Sequence, residues 1–202
     1  MRNVLPFILS AVIAAACTAQ TPQPPIDPNG VEAILKSHAE TGTLVSMAPL
    51  KLTKEERQKI RDILVAGREK VNKDGKAIQD KEAATIKKMS QAVKEAHAKA
   101  LKGEMPDKEY FDEWDKAMAD SVIARANLRT STVKGNSTKI KAVLTKDQNQ
   151  TVIDEAKRAW SRMYPGQKAD PKVYKDDTWY WYYVENVFMS DLTIDLLEQL
   201  SK

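Results

Sequence analysis

The sequence predicts an all-α fold, and three observations carry that expectation. Charged residues make up 30% of the 202-residue chain and glycine occurs only seven times, which suits long solvent-facing helices better than a turn-rich β fold. Apolar and small residues recur at steps of three and four, and their sums, along a stretch running from Thr53 to Ala100. Two segments, LTKEERQKI at 52–60 and LTKDQNQTV at 144–152, each carry a threonine followed three residues later by Glu56 or Gln148, the pattern of a capping box at a helix start.

The first sixteen residues read as a signal peptide. Met1-Arg2-Asn3 gives a short positive start and Val4 to Ala16 an apolar or small-residue run, which is shorter than the roughly 20 residues needed to span a bilayer. Cys17, the only cysteine, directly follows Ala14-Ala15-Ala16, where lipoprotein processing places its acylated cysteine. Ala14 stands where such a site usually has leucine, so lipidation at Cys17 and ordinary cleavage at Ala16 or near Ala19 both remain open. Residues 17–30, rich in proline, read as a disordered tether, and residues 31–202 as a single domain. The expected location is the periplasm, with membrane anchoring through Cys17 as the alternative to a free form.

Within the domain, Val31 to Glu40 forms a short helix and Thr41 to Lys51 a loop containing Gly42 and Pro49. From Thr53 the stripe Ile60, Leu64, Gly67, Val71, Gly75, Ile78, Ile86, Met89, Val93 and Ala100 predicts one long helix, or two collinear ones kinked at Asn72 to Gly75. Lys102-Gly103 and Pro106 end that run, and Asp107 can cap the next helix. Its apolar face reads Tyr110, Phe111, Trp114, Met118, Val122, Ile140, Val143 and Leu144, with a polar middle around Thr130 to Ser137 and a break expected at Gly135. A helix from Thr145 through Val152, Ile153, Ala156, Trp160 and Met163 stops at Tyr164-Pro165-Gly166, and a last helix runs from Asp177 to Leu200.

Several function classes find little support. The net charge is +4, but lysines alternate with acids, so the basic residues read as a solvated helix face and no nucleic-acid partner is expected. His38 and His97 fall in separate helices without ligand spacing and the seven methionines are scattered, so no metal site is expected. With no Gly-rich phosphate loop, no GxSxG elbow and no nucleophile beside a base, neither a catalytic residue nor a cofactor is expected.

The two capping segments match or are chemically similar at seven of nine positions. Leu52 and Leu144 precede their caps, and the position that would staple to each is polar, Arg57 and Asn149, so each leucine needs burial elsewhere. A hairpin in which each helix start packs against its opposite neighbour would supply it.

At these residues the sequence resembles the LTxxQ-motif family of periplasmic chaperones and stress regulators typified by Spy and CpxP. Leu144, Thr145 and Gln148 match the motif fully; Leu52 and Thr53 match it with Glu56 in place of glutamine. The resemblance extends over Thr53 to Asn72 and Phe111 to Asp154. It implies a long antiparallel helical hairpin in a cradle-shaped homodimer that holds unfolded or aggregating envelope proteins without ATP. Ile60, Ile63, Leu64 and Met89 are then the candidate client-facing positions, with core or dimer packing as the competing use of each. A regulator that binds the periplasmic part of a sensor kinase is the alternative, and a metal-resistance or metal-sensing protein a third. Two features depart from the pattern: extra sequence around Ser90 to Asp107, and a C-terminal extension, 169–202, containing Trp179-Tyr180-Trp181-Tyr182-Tyr183. Those aromatics cannot share one helix face, so core or dimer packing is expected for them ahead of a binding patch.

Overall fold

The computed structural model describes residues 30–202, so the expected signal peptide, Cys17 and all of the tether but Gly30 lie outside the described residues. The chain divides into two units after Ser37. Residues 30–37 are the described part of the first unit and form the opening turns of α1 (Val31–Met47), with Val31, Ile34 and Leu35 exposed.

The second unit, His38–Lys202, contains the rest of α1, a 3₁₀ turn (Ala48–Leu50), α2 (Lys54–Lys88), α3 (Ser90–Leu101), α4 (Lys108–Val143), α5 (Lys146–Met163), α6 (Asp176–Tyr183), a π-helical turn (Val184–Phe188) and α7 (Asp191–Gln199). All regular structure among the described residues is helical, so the chain is all-α.

Several expected breaks are not breaks. The first helix passes Glu40 and Gly42 and ends at Met47, because Thr43 and Ser46 direct their hydroxyls back to the carbonyls of Ala39 and Gly42 instead of competing for the backbone elsewhere. Pro49 then sits in the first turn of the 3₁₀ segment, and Lys51, at φ 46°, turns the chain toward α2. α2 runs through Gly75 without interruption, and the ion pairs Lys70–Asp74 and Lys76–Asp80, each one helical turn long, bracket it on the same helix. The interruption falls at Met89, between α2 and α3. Gly135 likewise lies within an unbroken α4. Asp107 occupies the position before α4, but its carboxylate bonds Lys99 Nζ at 2.6 Å rather than the helix N–H groups.

α2 and α3 run antiparallel to α4. Gly67 faces Asn136, Glu82 pairs with Arg125, and Ala92 to Lys99 lie opposite Asp107 to Glu113. At the first of these the approach is close: a Cβ on Gly67 would fall 2.5 Å from Asn136 Nδ2, so the absence of a side chain lets the helices approach. The polar middle of α4 is therefore an interior surface. Thr132, Val133, Asn136, Ser137 and Ile140 are buried, while Val122, assigned from the sequence to the apolar face, is exposed and Ser121 is buried in its place.

The main core gathers Ile60 and Leu64 of α2, Ile140 and Leu144 at the end of α4, Val152, Ile153 and Ala156 of α5, and the C-terminal segment. From that segment come Trp179, Tyr180, Tyr183, Val184, Phe188, Ile194, Leu196 and Leu197, all buried. The last helix is not continuous as expected; it passes through the π turn and restarts after Ser190, and the buried Thr193 hydroxyl bonds the Val187 carbonyl across the break.

Candidate functional site

The two threonine caps form the same structure. Thr53 Oγ1 accepts from Glu56 N–H at 3.1 Å while the Glu56 carboxylate accepts from Thr53 N–H at 2.8 Å; Thr145 and Gln148 repeat this at 3.2 and 2.8 Å. Each box satisfies two N–H groups that a helix start otherwise leaves without partners, worth roughly 1 kcal/mol apiece. The residues that follow also repeat one another. Arg57 donates to the Leu52 carbonyl at 3.0 Å, and Asn149 donates to the Leu144 carbonyl at 3.2 Å. These polar side chains replace the hydrophobic staple by tying the leucine backbone to the helix, and they free the leucine side chains to pack against the core, Leu144 buried and Leu52 partly so.

The motifs also touch. Gln148 Nε2 donates to Glu56 Oε2 at 3.0 Å and to the Leu50 carbonyl at 3.1 Å, so the second box is bonded to both the first box and the turn that precedes it. Around this junction the C-terminal aromatics close the core. Tyr180 hydroxyl donates to Asn149 Oδ1 at 2.8 Å, and Tyr183 hydroxyl to the Ser46 carbonyl at 2.6 Å. Burial pushes both phenols far above the ordinary tyrosine range, with the Glu155 carboxylate adding to the effect at Tyr183. Both therefore stay protonated donors at neutral pH.

No family model, curated protein or solved structure matches the chain.

The candidate client-facing residues do not form one surface. Ile60 is 0% and Leu64 3% exposed, both within the main core, so neither can meet a client in this fold. The reason is the C-terminal extension: α7 packs along the start of α2, with Leu196 and Leu197 in the shared core and Arg61–Glu198 and Arg68–Asp191 ion pairs, each 2.8 Å, along the seam. The Arg61 bond holds the Glu198 carboxyl below its ordinary range. Ile63 packs partly buried against that core. Met89 is different, lying half-buried in the section where α2 and α3 face α4 away from the C-terminal helices.

In that section Met89, Val93, Trp114 and Met118 are half-buried, while Ile86, Phe111 and Val122 are 38%, 43% and 63% exposed. Two helices can bury only the strip between them, and residues flanking that strip keep contact with water. At the far end a cavity of about 170 Å³ is walled by Glu95, Lys99, Asp107, Tyr110 and Glu113. Among the described residues no three His, Cys, Asp or Glu side chains are grouped to hold a metal ion.

Sequence reasoning missed Asn136 and Thr132 as contact residues because they are polar. Steps of four from Ile140 lead to both, and that register, read without regard to polarity, would have found the crossing.

Proposed function

We propose that this chain is an exported, ATP-independent holdase of the Spy/CpxP kind, which binds unfolded or aggregating proteins on the section where α2 and α3 face α4 and which self-associates as a homodimer. The observation that carries the reading is the half-covered apolar strip Ile86, Met89, Val93, Trp114, Met118 and Val122, set among interspersed lysines and carboxylates on a two-helix section. Partial burial of this kind supplies modest apolar contacts, and the surrounding charges speed the capture of an unfolded chain without fixing its sequence. The paired capping motifs anchor the other end of the helices, so the strip is held on a rigid base. The reading thus moves the client surface from Ile60 and Leu64 toward Met89 and its neighbours.

The test is light scattering from a chemically unfolded client diluted into buffer with the mature protein in stoichiometric excess. The expected result is delayed and reduced scattering without ATP. Unchanged aggregation across several unrelated clients would refute the proposal.

A further inference from the structure

A second concave site lies between α4 and α6, away from the open strip. The cavity has a volume of about 260 Å³ and is walled by Lys134, Ser137, Thr138 and Lys141 of α4 and by Asp177, Tyr180 and Trp181 of α6. Lys134 and Lys141 are two helical turns apart, so both ammonium groups approach from one face of α4. Each stands over an aromatic ring: Lys134 Nζ is 4.8 Å from the centre of Trp181, and Lys141 Nζ is 5.0 Å from that of Tyr180. The rings hold the cations in place without neutralising them.

Charge then separates the two lysines. Lys141 bonds Asp177 at 2.7 Å, whereas no carboxylate among the described residues lies within ion-pairing distance of Lys134. The wall therefore carries one uncompensated positive charge beside an indole and a buried phenol. Ser137 is 2% exposed and its Oγ is enclosed in the interior, so the polar groups presented to the cavity are those of the two lysines, Asp177 and the aromatic residues.

We propose that this cavity binds a single carboxylate carried on a flat, apolar body, with Lys134 as the charge partner and Trp181 as the packing surface. A cavity of roughly 150 Å³ accepts benzene, so this one has room for an aromatic ring with a short acidic arm. A phosphate dianion fits less well, because the second cation is already committed to Asp177. The carboxylate can come from a free small acid or from the C-terminus of a polypeptide ending in an aromatic residue. The assignment does not rest on the holdase reading, since the strip near Met89 contributes nothing to the cavity.

Benzoate, N-acetylphenylalanine, N-acetylphenylalanine amide and a hexapeptide ending in phenylalanine are the probes, titrated into the mature protein while the Trp181 indole N–H is followed by NMR. Saturable shifts are expected for benzoate and N-acetylphenylalanine at concentrations up to about 20 mM, and none for the amide, which lacks the charge. The hexapeptide separates the sources: binding as tight as that of N-acetylphenylalanine points to a polypeptide terminus, and no binding points to a small acid. K134M, checked for folding by circular dichroism, is expected to weaken benzoate by about tenfold, and K134R to restore most of the loss. The proposal fails if neither acid shifts Trp181 saturably, if the amide binds as well as the acid, or if K134M weakens binding by less than about threefold.

Discussion

Gln148 Nε2 donates to Glu56 Oε2 at 3.0 Å, and that same carboxylate oxygen accepts the Thr53 N–H at 2.8 Å. The two residues occupy the same place in two copies of one motif, yet their tasks differ. Gln148 uses its oxygen to cap Thr145 N–H and its nitrogen to reach the first motif; Glu56 only accepts.

Exchanging the two chemistries should therefore have unequal effects. Q148E keeps the cap acceptor but loses the donor and sets two carboxylates side by side, so it should cost about 1–3 kcal/mol. E56Q keeps an oxygen that can accept both hydrogens and should cost less than about 1 kcal/mol. Urea denaturation followed by far-UV circular dichroism measures both. An E56Q variant as unstable as Q148E would contradict this division of roles.

The close crossing of α2 and α4 yields a second prediction. In G67A the new methyl meets the Asn136 amide, which is itself buried and has little room to move, while alanine's helix preference works in the opposite direction by up to about 1 kcal/mol. The single variant mixes these effects, but a double-mutant cycle with N136A separates them. The pair should be more stable than the two single variants predict, by about 1–2 kcal/mol. Additive stabilities would mean that the two positions do not meet.

What was legible in the sequence follows from the physics of each signal. Capping boxes are local, needing one hydroxyl and one side chain three residues on, so Thr53 and Thr145 and the starts of α2 and α5 could be read directly. The interruptions expected at Gly42, Gly75 and Gly135 do not occur, because a single helical glycine weakens a helix without ending it when neighbouring turns hold. The core at the C-terminus was legible only in part. Core packing was expected for the aromatic run, and Trp179, Tyr180 and Tyr183 are buried. Nothing local, however, says that Leu196 and Leu197 close over Ile60 and Leu64, because that depends on α7 returning along α2, a contact between segments far apart in the chain. The candidate client site inherited that gap at Ile60 and Leu64 and escaped it at Met89.

The buried phenols predict a loss of stability in alkali. A phenol whose folded value is raised binds its proton more tightly in the folded chain than in the unfolded one. Its contribution is fully present below the unfolded value near pH 10 and is lost as pH rises above it. Each phenol should then cost about 1.4 kcal/mol per pH unit. Tyr183 can be isolated with Y183F, which lacks both the ionisation and the bond to Ser46. The wild type should be the more stable of the two at pH 8, and its advantage should shrink or reverse by about pH 11. A gap that stays constant over that range would show that Tyr183 ionises as freely folded as unfolded.

The open section and the closed core should separate function from stability. Lysine at a half-buried position can lay its stem along the surface and keep its charge in water, so M89K and M118K, alone or together, should fold with losses of about 1 kcal/mol or less each. They also remove apolar surface where the proposed client contact lies, and the double variant should suppress aggregation at least about fivefold less well than the wild type. Ile60 makes the opposite case. Fully buried among Leu64, Leu196 and Leu197, it should lose about 0.5–1.5 kcal/mol on replacement by valine while leaving suppression unchanged at temperatures where the variant stays folded. Light scattering and urea melts on the same preparations give both quantities. If I60V impairs suppression while M89K/M118K does not, the client surface is not the two-helix strip but something dependent on the packed end of the molecule.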